Sequence, residues 1–446
     1  MAYSGLEGGT TSLYCNFAGL SLEADLQRPL TILRILGLGN PPQHHLLRLL
    51  YRLWTIFILT LQLFVLGRAV TMFDKSPFRE MNTETALMVS AVAYLGQTVM
   101  MMFHSVFVLY RKRGNAPSLA EFFLGLARVE ASSVYVDGRR RRKVQFACRI
   151  LFALSVCYCI VDLIPKLLGL FLKGQSQFRL VGNEKMFLHK FVSIPLVPLA
   201  SLAGALTWCM SLNVFFVVVS LVSIGYRNLS NRIAANKEGT FAALLHMSMS
   251  EHLRLETVVC KLNSLYGCYS AIVLGANIPI TTILLYIVSK GEQRNAVERF
   301  FFSFWLCSML GQLMVVASAA RITTKYRLLY EQLYQQYARY VLSQSRYYHT
   351  DGTLDYYCSN VYGRERAIVI MQQTSTVLHT LKANVAALSV GDLFSIDWSV
   401  VLTVLSAIFA YYVILVQFAN PSSVLPADDR SAGNVMSDMN ATSALG

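Results

Sequence analysis

Charge is scarce in this chain. Asp, Glu, Lys and Arg together make up 14% of its 446 residues, hydrophobic residues make up 54%, and the mean hydropathy is +0.46. A soluble domain carries roughly a quarter of its residues charged, so a soluble globule of this length is excluded and a lipid environment is expected. Catalytic signatures are missing as well. The eight histidines form no His-Glu-x-x-His, and neither Gly-x-Ser-x-Gly nor a phosphate-cradling glycine loop occurs, so neither an enzyme nor a cofactor is expected. Nucleic acid is excluded because the basic residues flank apolar runs instead of interleaving with aromatics on one domain. The nine cysteines are Cys15, Cys148, Cys157, Cys159, Cys209, Cys260, Cys268, Cys307 and Cys358. None falls in an expected outside loop, so extracellular disulfides are not expected. Cys157 and Cys159 lack metal or redox spacing and read as small packing residues. There is no internal repeat, against an inverted-repeat transporter plan. No cleavable signal peptide is expected, because the first apolar run begins behind a segment holding Gly8, Gly9, Asn40, Pro41 and Pro42.

Long apolar runs are what the chain has instead. A membrane span needs about 20 mainly apolar residues, and seven stretches qualify: Leu53 to Phe73, Ala86 to Tyr110, Cys148 to Leu172, Phe191 to Ile224, Leu262 to Ser289, Phe300 to Ala320 and Trp398 to Phe418. Of the 39 lysines and arginines, 27 lie on the side that holds the N-terminus. The positive-inside rule therefore puts the N-terminus in the cytoplasm and the C-terminus outside. The strongest contribution is Arg139-Arg140-Arg141-Arg142-Lys143, a topology anchor in the plain reading and a lipid-headgroup or partner site in the functional one. The expected architecture is an all-α membrane protein of seven transmembrane helices with long cytoplasmic helical extensions. Its parts are a cytoplasmic segment 1–52, helices one to six with their helical loops over 53–320, a cytoplasmic helical anchor 321–396, the seventh helix 397–418 and an extracellular tail 419–446.

The inside segments are not linker-like. Leu119 to Val136, Phe241 to Leu262, Ile322 to Leu342 and Ala367 to Leu388 all place apolar residues at helical spacing. Tyr326, Tyr330, Tyr334 and Tyr337 lie on one helical face, a stripe that suits packing and less commonly a cofactor. Between Ser343 and Arg364 the pattern dissolves and predicts a mobile loop. Gly391 to Trp398 reads as a joint ahead of the last span. Asn440-Ala441-Thr442 is a glycosylation sequon in the outside tail; Asn228-Leu229-Ser230 falls inside and is expected to stay unmodified.

The final span has two unlike sides. At about 100° per residue, Gln417 shares a face with Ile414, Val413, Ala410, Ser406 and Thr403, a lean and weakly polar stripe. Opposite it stand Val404, Ile408, Tyr411, Tyr412 and Leu415, with Phe418 on the flank. Either this stripe borders an axis shared by several copies, where Gln417 projects a ring of amides that passes or blocks ions, or it packs against a neighbouring span.

The ending Tyr411 to Phe418, with Tyr411, five hydrophobic residues (412–416) and Gln417-Phe418, resembles the close of the last helix in insect gustatory receptors, a branch of the insect chemoreceptor superfamily. Ala410 stands where that family usually has Thr. The resemblance is sharp over Leu381 to Phe418 and architectural elsewhere. It implies a tetrameric, tastant-gated, non-selective cation channel of the plasma membrane, homomeric or with other receptors of the family. In it Gln417 and Phe418 form the outer gate with Tyr411 packed beside them.

For a small-molecule tastant, the candidates lie on spans two to six. Asp162 and Lys166 are one helical turn apart on span three, and an unpaired charge at mid-bilayer costs about 2.5 to 3.5 kcal/mol, so they are expected to pair. Weaker candidates are Tyr94, Gln97, His104, Trp208 and Trp305, each readable as core or interfacial belt. A G-protein-coupled receptor would place its N-terminus outside and carry Asp-Arg-Tyr after span three. A transporter would show flux without large unitary currents.

Overall fold

The computed structural model describes residues 23–39, 42, 44–73, 83–109, 119–132, 138–171, 190–235, 241–289, 296–350, 357–383, 385–391 and 393–419. Among them the chain forms eleven α-helices and one short hairpin: α1 (Glu23–Ile35), α2 (His45–Phe73), α3 (Thr83–His104, continued by a π-turn over Ser105–Leu109), α4 (Leu119–Ser132), α5 (Gly138–Phe171), α6 (Lys190–Ala235), α7 (Phe241–Ser289), α8 (Ala296–Ala317), α9 (Ala320–Thr350), α10 (Tyr357–Ala383), strands β1 (Ser389–Val390) and β2 (Phe394–Ser395), and α11 (Trp398–Ala419). Seven stretches are long and apolar enough to cross a membrane; they lie on α2, α3, α5, α6, α7, α8 running into α9, and α11.

Each apolar run read from the sequence lies on one of these helices, but the ends differ. Lipid rewards only the apolar part of a helix, whereas a helix continues wherever its backbone stays paired. Thus α6 runs 46 residues and α7 runs 49, about 70 Å each at 1.5 Å per residue. That is more than twice the roughly 30 Å hydrocarbon core. Their excess length forms a stalk with α9. Tyr226 of α6 meets Tyr326 of α9 edge-on at 5.7 Å, Arg232 of α6 pairs with Glu251 of α7, and Gln336 of α9 donates to the Ile233 carbonyl of α6.

One expectation needs correction, and two segments gain detail. The loop expected over Ser343 to Arg364 is cut from both ends, because α9 continues to Thr350 and α10 begins at Tyr357; 351–356 lie outside the described residues. The joint before the last span contains a β-hairpin too short to leave a strand pattern. The N-terminal segment contains α1, whose Leu26, Leu30 and Leu33 are buried against α6 and α5. That helix ends in a two-bond cap, Leu38 N–H to Leu33 O at 2.8 Å and Gly37 N–H to Arg34 O at 3.0 Å. This cap needs the left-handed residue that Gly37 supplies at φ +79°.

The tyrosine stripe of α9 is divided. Tyr326 is buried and donates to the Leu381 carbonyl of α10 at 2.6 Å, Tyr337 lies 6.3 Å from Phe241, and Tyr334 is exposed beside Tyr330.

At the centre is α6, with 89% of its apolar window buried; α11 is at the other extreme with 6%. Hydrogen bonds to α7 hold the base of α11. Asn263 donates to the Ala387 carbonyl at 3.0 Å and accepts from Ser389 N–H at 3.0 Å, and Gly391 N–H donates to the Gly267 carbonyl at 3.1 Å. Gly391 makes the hairpin turn at φ +53°, and a Cβ on Gly267 would sit 3.4 Å from the Ser389 carbonyl oxygen. Small residues on both sides let the hairpin lie against the helix.

Candidate ligand site and pore helix

An aromatic cluster forms where α3, α5, α6 and α8 meet. Trp208 of α6, 2% exposed, stands at its centre. Tyr94 of α3 meets it edge-on at 6.2 Å and Tyr158 of α5 lies 4.9 Å away; Tyr158 stacks on Phe304 of α8 at 5.7 Å. Next to Phe304, Trp305 packs edge-on against Phe302 at 5.6 Å. Asp162 lies one helical turn from Tyr158. It is 3% exposed and accepts a hydrogen bond from Ser201 Oγ of α6 at 3.1 Å. The Lys166 side chain lies outside the described residues, and so does the expected pair.

The helices enforce this meeting. Tyr94 and Gln97 are one turn apart on α3, Tyr158 and Asp162 one turn apart on α5, and each pair shares a face. Nearby, Asn213 Nδ2 donates to Ser155 Oγ at 2.7 Å and to the Cys209 carbonyl at 2.8 Å. Rings and neutral polar groups of this kind stack on and hydrogen-bond a small organic molecule. Among the described residues no three His, Cys, Asp or Glu side chains gather to hold a metal, and the seven described cysteines are free thiols.

The candidates named from the sequence separate here. Tyr94, Asp162, Trp208 and Trp305 come to the cluster or its edge. His104 does not: its Nε2 is 2.7 Å from the Leu265 carbonyl, and its ring sits between Tyr266 and Tyr269 of α7. Gln97 turns to α7, with Nε2 3.4 Å from Asn277 Oδ1. Tyr158 and Phe304 were not singled out by sequence reading. The i, i+4 spacing of Tyr158 and Asp162 was the available signal; nothing in the sequence links Phe304 to them.

The second region is α11. Ile408 is 5% exposed and Val404, Tyr412, Leu415 and Val416 are half-buried against the core, so the bulky side packs inward, chiefly on α7. Thr403, Ser406, Ala410, Val413, Ile414 and Gln417 are all exposed. Among the described residues of this one chain nothing covers the lean side. Tyr411 is 57% exposed within this one chain. The side chain of Phe418 and all of the tail with Asn440 lie outside the described residues. Toward its Trp398 end, α11 borders an apolar cavity of about 280 Å³ walled by Leu274 of α7, Leu310 and Met314 of α8, and its own Val401, Val404 and Leu405.

Residues 377–420 match the family model of the 7tm chemosensory receptors. The fold is similar to that of the insect olfactory receptor OR5 from Machilis hrabei. The TM-score is 0.66 at 14% identity, covering 91% of this chain and all of that one. Against the same receptor in complex with eugenol the TM-score is 0.60 at 11% identity, with the same coverage. No curated protein matches the chain. The matched segment takes in the end of α10, the hairpin and α11, and the fold of the Machilis hrabei receptor is shared along nine-tenths of this chain.

Proposed function

We propose that this chain is a gustatory receptor: a tastant-gated, non-selective cation channel built from four copies, alone or with other receptors of the family, in the plasma membrane of a taste neuron. The N-terminus is cytoplasmic, the α6–α7–α9 stalk with α10 forms the cytoplasmic anchor, and α11 lines the pore. The observation that carries this reading is the exposed lean side of α11. A lipid-facing helix gains nothing from Thr403, Ser406 and Gln417, whereas helices that approach one another closely need small residues at the contact. Four such sides around an axis line a passage with small and weakly polar groups and place Gln417 near its outer end. The taste assignment rests on Tyr411, Gln417 and Phe418 in the closing pattern.

The tastant binds at the aromatic cluster. Tyr94, Tyr158, Trp208 and Phe304 offer ring faces, and Asp162 with Ser201 offers polar contacts. The Machilis hrabei receptor takes eugenol, and a compact molecule with one ring and a few oxygens suits these walls. Gating follows from differential affinity: the tastant opens the channel by the factor by which it binds the open arrangement better.

The test is expression in a heterologous cell with a tastant panel, recording currents while G-protein signalling is blocked. Currents with discrete unitary openings are expected to persist under the block. Responses that vanish under it would instead make the chain a coupled receptor, and flux without unitary openings would make it a transporter.

A further inference from the structure

Three side-chain amides meet inside the bundle. Gln97 on α3, Asn277 on α7 and Gln312 on α8 are 2%, 0% and 1% exposed. Gln97 Nε2 donates to Asn277 Oδ1 at 3.4 Å, and Asn277 Nδ2 donates to Gln312 Oε1 at 2.7 Å. Gln97 Oε1 and Gln312 Nε2, the two ends of this ladder, are buried without a partner. Buried amides with open ends are costly where apolar side chains of similar size would fill the same space. Both bonds need α3, α7 and α8 to keep this spacing, so the ladder has two states, made and broken.

Its place in the fold gives those two states a use. Gln97 lies one turn along α3 from Tyr94, and Gln312 lies two turns along α8 from Trp305. The ladder therefore joins two helices of the aromatic cluster to α7, which contributes no ring to that cluster. The pore helix α11 rests on α7. Asn277 also sits where α7 is weakest. Pro279, inside the helix, lacks the N–H that would pair with the Gly275 carbonyl, and a Cβ on Gly275 would meet open space. A helix changes its bend most readily at such a turn.

We propose that Gln97, Asn277 and Gln312 are positioning residues that couple the ligand site to the pore helix. The ladder fixes the bend of α7 at Gly275–Pro279. A shift of α3 against α8 breaks it, α7 bends, and α11 follows through the hairpin and the Ile408 side. Coupling of this kind requires an element with two discrete arrangements, and the reversible ladder beside a proline turn is one. The inference rests on the channel reading above.

The test reconstitutes the full chain in planar bilayers with symmetric potassium chloride and records unliganded openings. Asn277→Leu should change the unliganded open probability by about tenfold or more, the equivalent of an amide ladder lost from one state only, with unitary conductance unchanged. Adding Gln97→Leu to Asn277→Leu should do nothing further, because the ladder is already broken. The paired Gln97→Leu and Gln312→Leu variant, which keeps Asn277, should read the same shift where Asn277→Leu fails to assemble. Unchanged open probability, or effects of the two glutamines that add independently, overturns the ladder while a conducting wild type leaves the channel reading standing. A wild-type chain that passes no current overturns both.

Discussion

Among the exposed helix faces those of α2 and α11 differ, since α11 carries a lean stripe between exposed Leu402, Leu405, Phe409 and Tyr411. Along α2 the exposed residues include Leu46, Leu49, Leu50, Leu53, Phe57 and Phe64, all bulky and apolar. Along α11 the centre of the exposed side is Thr403, Ser406, Ala410, Val413 and Gln417. Both helices are little buried, at 17% and 6% of their apolar windows, so exposure alone does not tell them apart. Side-chain size does. A face of leucine and phenylalanine is complete when lipid chains cover it. On the lean face Thr403 is satisfied by the Ser399 carbonyl at 2.9 Å, but the Gln417 amide gains little from hydrocarbon, and the shallow relief admits another helix. The lesson is that an uncovered surface in a single membrane chain is either finished or waiting for a copy, and its composition says which.

The comparison breaks most visibly under bulk. Ala410→Trp places a large ring on the lean side, and four copies at about 1–3 kcal/mol of overpacking each disfavour the assembled arrangement by more than about three orders of magnitude. Whole-cell current per surface-expressed chain is expected to vanish. Leu50→Trp on α2 swaps one lipid-facing side chain for another and should leave current within about twofold of wild type, since surface changes of this kind stay near 0.5 kcal/mol. Equal loss from both would erase the distinction between the faces.

The two sides of α11 itself give the next contrast. Ile408→Ala opens a cavity against α7 and should lower stability by about 2–4 kcal/mol, read as a loss of several degrees in a thermal assay on detergent-solubilised protein. Thr403→Ala, on the exposed side, should leave that midpoint unmoved. Smaller again is Gln417→Ala. It removes four amides from the proposed outer ring, and the expected result is a several-fold change in relative permeability to organic and alkali cations with no change in thermal midpoint, on the scale of about 1 kcal/mol per lost hydrogen-bonding group. Permeability that ignores residue 417 would remove it from the ion path.

Much of this arrangement is legible in the sequence because membrane insertion depends on local composition. Each of the seven runs can be found from its own residues, and the lean face of α11 follows from a 100° step. What sequence reading missed has a common cause. Tyr158, Phe304, Asn277 and Gln312 matter through partners on other helices, and no local periodicity reports which faces meet. The hairpin at 389–395 was hidden by its brevity, since two residues per strand cannot establish alternation. α1 was obscured by Pro29 inside it, which reads as a breaker although here it falls in the second turn of the helix. On its described side Asp162 accepts from Ser201, a neutral donor that a search for opposite charges does not notice.

The smallest effect concerns how the lean face is aimed. Asp397 caps the first turn of α11: its Oδ1 accepts from Val400 N–H at 3.0 Å and from Ser399 Oγ at 2.6 Å, and Arg327 of α9 stands 3.8 Å from Oδ2. The Ser399 hydroxyl first, then the Val400 N–H, hold the carboxyl below its ordinary value of 3.8, and Arg327 adds a lesser pull in the same direction. Because the folded value is the lower one, the cap contributes fully above the unfolded value and is lost as pH falls below about 4 through the folded one. Asp397→Ala should cost about 1 kcal/mol near neutral pH, a cost that shrinks as pH falls through the lowered folded value. Asp397→Asn keeps an accepting oxygen and should fall between the two without that pH dependence. A cap that mattered only for folding would show all of this in thermal midpoints alone. Since the hairpin and this cap set the rotation of α11, the alanine variant should also blur the contrast between Ala410→Trp and Leu50→Trp, by letting bulk at residue 410 turn away from its neighbours.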